Sequence, residues 1–360
     1  MSVQLPIHGG QLEALAKQYM LDPRALLDFS ANINPDGPPV SVLQALQSSL
    51  SDATTLMSYP DLQHSSLKQS IAASICKPSC EISIANGFVP LLEAVLRALP
   101  IRSCLLPLPA FNEYRPALDR ARIKVVPYGM TPESGFQYDA KQMLSGEADA
   151  VLLANPQNPS GVCATESQMV DLLHTAADRS MYVLLDEAFI DYVPEHSMVP
   201  YLGQFPKLIL FRSVTKFYAM PGMRIAYCIA DPSIALSINN TLPPWPVSNL
   251  ASIAVHAALQ DEAYEQRSRY LNAKRKARLF DGLAALDLQP HPGAANFLLF
   301  RLPSHVDPLV FWQAMMVNHK IVLRSCENYP HLRSGYLRTA VRGDDHNEML
   351  LQALSAQLVR

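Results

Sequence analysis

The sequence predicts an α/β domain built on a mostly parallel sheet, followed by a smaller α+β domain. Two observations carry this. Between residues 81 and 230 short apolar runs alternate with amphipathic stretches, the pattern of strands connected by crossing helices. Beyond the cluster Pro243-Pro244-Trp245-Pro246 the pattern changes to one long charged segment, three short apolar runs and a closing amphipathic stretch. With 360 residues, 49% of them hydrophobic, the chain is long enough for two cores.

The elements follow in order. Strands are expected at 81–85, 103–107, 124–128, 150–155, 182–186, 208–212 and 224–230, where β-branched and leucine-rich runs end at turn residues. Helices are expected between them at 91–99, 111–120 and 166–179, where apolar residues recur at helical spacing. Asp231-Pro232 and the proline cluster interrupt this alternation. A long charged helix at 261–286, strands at 296–302, 320–324 and 335–341, and a last helix at 345–359 complete the chain. The expected division is an N-terminal segment 1–35 packed on the small domain, a large domain 36–240 and a small domain 241–360.

Composition narrows the partners. A net charge of −3 with mixed signs points away from nucleic acid and from anionic membrane surfaces. No apolar run approaches bilayer length, and the first residues lack a secretory pattern. The six cysteines are scattered, without metal-site spacing, so a reducing cytoplasm is expected.

Three motifs carry chemistry, each just past an apolar run. Asn155-Pro156-Gln157-Asn158-Pro159-Ser160-Gly161 forces a sharp turn off the sheet and frees Asn158 to donate to a ring hydroxyl; an ordinary strand-to-helix loop is the plain alternative. Asp186, ending Leu184-Leu185-Asp186, is costly to bury without a partner, and a protonated pyridine nitrogen is one; a helix cap is the other reading. In Arg212-Ser213-Val214-Thr215-Lys216-Phe217-Tyr218 a lysine follows two hydroxyls and precedes Arg224. That suits an amine forming a Schiff base with an aldehyde whose phosphate Ser213, Thr215 and Arg224 hold. A solvated loop lysine is the alternative for Lys216 alone. The three together point to pyridoxal 5′-phosphate (PLP), because open parallel sheets bind ligands beyond the carboxyl ends of their strands.

Weaker candidates surround these. Asn86 and Gly87 precede a helix whose backbone amides suit a phosphate. Phe111 could stack on the pyridine, and Tyr59 could reach the phosphate across a dimer interface. Arg338 could clamp a substrate carboxylate. His8 and Asn32 could line the pocket mouth. A core aromatic, a turn tyrosine and flexible loop residues are the respective alternatives.

These motifs make the chain similar to fold-type I PLP enzymes, in their histidinol-phosphate aminotransferase-like branch. His8-Gly9-Gly10, Asp28-Phe29-Ser30-Ala31-Asn32-Ile33-Asn34-Pro35, Asp186-Glu187-Ala188-Phe189-Ile190-Asp191, Pro244-Trp245-Pro246-Val247-Ser248 and Tyr336-Leu337-Arg338 tilt the likeness toward the phosphothreonine decarboxylases of the cobalamin pathway. The resemblance implies a homodimer with Lys216 as the Schiff-base lysine and Asp186 on the ring nitrogen. It further implies Asn158 on the ring hydroxyl, and Ser213, Thr215, Arg224 and a partner's Tyr59 on the phosphate. Arg338 would take the substrate carboxylate, with His8 and Asn32 near the substrate phosphate. The implied reaction is decarboxylation of L-threonine O-3-phosphate to (R)-1-amino-2-propanol O-2-phosphate. Transamination of the histidinol-phosphate type is the second reading, and a non-catalytic binding protein on the same fold is a lesser one. One stretch departs from the family: Ala85-Asn86-Gly87-Phe88-Val89-Pro90 stands where Gly-Asn-Gly is followed by acidic and hydroxyl residues. Each lost phosphate contact is expected to cost about 1–3 kcal/mol.

Overall fold

The computed structural model describes residues 5, 6 and 8–359. Its strands are β1 (Leu27–Asp28), β2 (Ile82–Ala85), β3 (Ser103–Leu108), β4 (Lys124–Gly129), β5 (Ala150–Ala154), β6 (Tyr182–Asp186), β7 (Leu208–Ser213), β8 (Ala226–Ile229), β9 (Phe297–Arg301), β10 (Ile321–Val322), β11 (Arg324–Ser325) and β12 (Tyr336–Ala340). Seven of them form the central sheet in the order β2-β8-β7-β6-β5-β3-β4. β8 runs antiparallel to both neighbours, and the remaining pairings are parallel.

β7 is buried along its whole length, and β5 is buried but for its last residue. Helices on both faces of the sheet cause this. Successive strand residues point to opposite faces, so two apolar layers form. Val151, Leu153, Val183, Leu185 and Leu210 meet Met169, Leu172 and Leu173 of the helix Glu166–Asp178. Leu106, Leu152, Leu184, Ile209 and Phe211 meet Leu91, Leu92 and Val95 of the helix Phe88–Ala98.

The second sheet is antiparallel, in the order β11-β12-β9. It packs with the helices Glu262–Ala285, Pro308–His319 and Asp344–Leu358. Leu15, Leu26 and Phe29 share an apolar cluster with Leu279, Phe300, Trp312, Leu337 and Leu350. The backbone explains why: β1 pairs parallel with β10, Phe29 N–H donates to Val322 O at 2.9 Å, and Ala340 N–H donates to Phe29 O at 2.8 Å. Residues 27–29 thus join the strands of the smaller domain, and the chain then reaches the turn after β7, where Asn34 N–H donates to Lys216 O. Among the described residues no helix is long and apolar enough to cross a membrane.

Several boundaries differ from expectation. The helix expected from 91 begins at Phe88, because Pro90 sits in the first turn, where no amide donor is needed. The helix expected over 111–120 is confined to Tyr114–Arg120. Arg224 is not in a strand: it adopts a left-handed conformation (φ 54°) and β8 starts two residues later. The strand at 320–324 is two short pieces, β10 and β11. Asp231-Pro232, expected to interrupt the alternation, instead continues it by starting a helix, since the Asp231 carboxylate accepts the Ser233 amide at 2.9 Å.

Candidate active site

The carboxyl ends of β5, β6 and β7 lie side by side. Ala154 is in register with Asp186 and Asp186 with Phe211, so the residues just beyond face one cavity of about 470 Å³. Lys216, Asp186, Asn158, Ser213, Thr215, Arg224, Gly87, Phe111, His8, Asn32 and Arg338 all line it. Two expected residues do not. Asn86 is exposed and outside the lining. Tyr59 is 81% exposed, and its ring lies 4.8 Å from that of Trp245.

Lys216 sits on the turn after β7. Asn34 pins that turn from across the chain: its amide N–H donates to Lys216 O and its side-chain amide to Phe217 O, both at 3.0 Å. Burial lowers the Lys216 pKa; Asp186 pulls it back up, while Arg224 and Arg338 push it further down. A depressed amine pKa is what a nucleophilic lysine needs.

Asp186 is buried. Its Oδ1 accepts the Ala188 amide at 2.9 Å and its Oδ2 accepts the Tyr114 hydroxyl at 2.6 Å. Burial raises its pKa, and the bonds from Tyr114 and Ala188 and the Lys216 charge oppose that rise. Tyr114 was not among the residues expected from sequence: a tyrosine at a helix start looks like any core aromatic.

Asn158 Oδ1 accepts a 2.6 Å bond from Arg338 Nη1. That leaves the Asn158 amide N–H₂ to donate into the cavity. Arg338 also donates from Nη2 to Ser30 O at 3.2 Å and lies 5.1 Å over the Phe297 ring. Its Nε–H is buried without a partner. A desolvated guanidinium donor of this kind calls for an anionic oxygen. Arg324 was also missed. It is 1% exposed, lines the same cavity, donates to Asn328 Oδ1 at 3.0 Å and faces the Tyr329 ring at 5.1 Å.

The same cavity contains a cradle. Gly87 has φ +97°, and a Cβ there would lie 2.7 Å from Arg224 Nη2. The Ser213 and Thr215 hydroxyls lie 2.8 Å apart, and the helix beginning at Phe88 presents its amino end. Guanidinium, paired hydroxyls and helix amides around a glycine fit a phosphate. The helix is capped by Gly87 and so has no side-chain cap, and of the departing residues Phe88 packs its ring on Phe211 at 5.3 Å.

The mouth is spanned by the N-terminal segment. His8 Nε2 pairs with Glu113 Oε1 at 2.9 Å, and Gly10 N–H donates to Ser30 Oγ at 3.0 Å. Gly9 admits no side chain, because a Cβ would strike the Ser30 carbonyl. Asn32 is buried beside them, its Oδ1 without a partner.

The pattern of the family described as aminotransferase class I and II matches residues 24–354. The chain belongs to that family. It is a fold-type I, PLP-dependent enzyme, and the cavity's cradle, buried carboxylate and buried lysine fit that cofactor. The chain is 36% identical over 356 residues to threonine-phosphate decarboxylase of Salmonella typhimurium, spanning 96% of this chain and 95% of that one. The crystal structure of histidinol-phosphate aminotransferase from Clostridium acetobutylicum superposes with TM-score 0.86 at 28% identity, over 92% of this chain and 98% of that one. The histidinol-phosphate aminotransferase of Sinorhizobium meliloti, solved with pyridoxal-5′-phosphate, superposes with TM-score 0.86 at 22% identity, covering 100% of this chain and 98% of that one.

Proposed function

We propose that the enzyme decarboxylates L-threonine O-3-phosphate to (R)-1-amino-2-propanol O-2-phosphate and CO₂. The observation carrying this reading is the pair of buried guanidiniums, Arg338 and Arg324, lining a cavity that also offers a separate phosphate cradle. Two anion sites besides the cofactor's suit a substrate with both a carboxylate and a phosphate. The relation to the Salmonella typhimurium decarboxylase supports the same choice.

In this reading Lys216 carries PLP, Asp186 pairs with its ring nitrogen and Asn158 with its ring hydroxyl. Phe111 would lie against the ring, and Ser213, Thr215, Arg224 and the amides after Gly87 would hold the phosphate. When bound, PLP withdraws electrons from the substrate α-carbon. The protein decides which bond there breaks. Arg338, braced by Asn158 and Ser30, holds the carboxylate, while Arg324, His8 and Asn32 hold the substrate phosphate. Held at two ends, the substrate would have the rotation about its α-carbon fixed by these side chains, and with it the choice between loss of CO₂ and loss of a proton. Lys216, displaced by the substrate amine, would take up the proton that the substrate's ammonium group gives up and, as its ammonium, would return one to the α-carbon; a pKa lowered by burial makes that proton easy to release.

We also propose a cytoplasmic homodimer. Leu56, Met57, Tyr59 and Leu62, each more than half exposed, form an apolar stretch beside Trp245, and a monomer seldom leaves such a patch open. A partner covering it would bring its own Tyr59 to the cradle.

Aminotransfer is the second reading, favoured by the 28% identity to the Clostridium acetobutylicum aminotransferase. Incubation of the PLP-loaded protein with L-threonine O-3-phosphate separates the two. Release of CO₂ with no keto acid present is the expected result. Strict dependence on 2-oxoglutarate, or turnover of histidinol phosphate alone, contradicts it.

A further inference from the structure

This inference rests on the reading of Asp186 as partner of the cofactor's ring nitrogen. A carboxylate that holds a pyridinium must itself stay ionised, yet Asp186 is 7% exposed, and burial favours its protonated form. The groups facing it are few. Lys216 approaches from the turn after β7, with Arg224 and Arg338 beyond it, and Glu187 follows in the chain, tied to Arg212 at 2.8 Å. Lys216 is the cation among these that acts on Asp186 most directly, and in the proposed reaction its nitrogen is bound to PLP for part of each cycle. The Tyr114 hydroxyl, 2.6 Å from Oδ2, is a donor that no step of the reaction alters.

The surroundings of Tyr114 make it a one-way donor. It is 1% exposed, and burial beside Asp186 pushes its pKa well above the usual tyrosine value. Its ring is enclosed by Phe111 at 5.5 Å and Phe88 at 5.7 Å, and Phe88 is in turn seated on Phe211. In so dry a shell a hydrogen bond to a charge is worth more than at a surface. Phe88, at the head of its helix, is therefore more than a lost phosphate contact.

We propose that Tyr114 is a positioning residue that keeps the Asp186 carboxylate ionised and aimed at the ring nitrogen of PLP, with Phe88 excluding water from the pair. The test is titration of PLP into the full-length apoprotein, followed by the visible absorbance band, for wild type, Tyr114→Phe and Phe88→Ala across about pH 6 to 9. Wild-type affinity is expected to be nearly flat over this range. Tyr114→Phe is expected to bind PLP about tenfold more weakly at the alkaline end, the loss of one hydrogen bond to a charged group. Its affinity should fall further as pH falls, because a carboxylate deprived of a donor takes up its proton at higher pH. Phe88→Ala should shift in the same direction by less. A Tyr114→Phe protein that melts lower but binds PLP with the wild-type affinity and pH profile overturns the proposal, since a core-filling role predicts that outcome. If Tyr114→Phe does not accumulate folded, Phe88→Ala decides: a pH-dependent loss of affinity supports the proposal, and a wild-type profile overturns it. Failure of the wild type to form the band would instead bring down the reading of the site, and it is seen before any variant is compared.

Discussion

At the scale of single residues the site depends on side chains with more than one partner. Arg338 braces Asn158 and Ser30 while keeping one buried N–H spare. Arg338→Ala should therefore lower kcat/KM by about 2–3 kcal/mol, a fall of roughly 30- to 150-fold, chiefly through KM if it holds the carboxylate equally in ground and transition states. Arg338→Lys should recover only part of this, because an ammonium cannot reach both Asn158 and the substrate in one plane. Steady-state kinetics with L-threonine O-3-phosphate would show it. Lys216, Asp186 and Asn158 were legible in the sequence because each follows an apolar run, where a polar side chain demands a reason. Tyr114 and Arg324 were not. A tyrosine hydroxyl acquires its role only when folding brings Asp186 to it across 72 positions, and Arg324 belongs to a strand of two residues, too short to have a period.

At the scale of elements, the turn bearing Lys216 is backed by a buried charge network. Arg212 Nε donates to Glu187 Oε2 at 2.8 Å and its Nη1 to Asp191 Oδ1 at 3.0 Å. Arg269 and Glu265, on the long helix, continue the network to Tyr218. Burial raises the Asp191 pKa to about 6, with Arg212 opposing the rise. Arg212→Met would strand two buried carboxylates and should destabilise the fold by about 3–5 kcal/mol near neutrality. The sign with pH follows. Acids whose folded pKa is raised above the unfolded value bind their protons more tightly when folded, so stability is lost as pH rises from about 4 through the folded pKa. Thermal melts of Arg212→Met should thus fall further below wild type at pH 8 than at pH 5; a pH-independent deficit would mean the network is not carrying the charge assigned to it. The alternation of strands and helices was legible here, because buried parallel strands give near-continuous apolar runs. Helix starts at Asp231-Pro232 and Asp307-Pro308 were not, although both use the same device: an aspartate accepting backbone amides ahead of a proline in the first turn.

At the scale of the whole molecule, the N-terminal segment, the central sheet and the smaller sheet meet at one cavity, and the apolar stretch around Tyr59 lies outside it. If a second copy covers that stretch, light scattering should give twice the 39.8 kDa of the chain, and Met57→Glu should yield monomers that bind PLP more weakly. A wild-type monomer with full PLP affinity would contradict the dimer. The sequence could place Tyr59 in a turn but not say what it faces, since the residues opposite it would come from another chain.

The most direct measurement of all is borohydride reduction of the PLP-loaded protein followed by mass mapping of its peptides. One pyridoxyl group is expected, on the peptide containing Lys216 and at that residue. A label on another lysine, or none on this peptide, would contradict it.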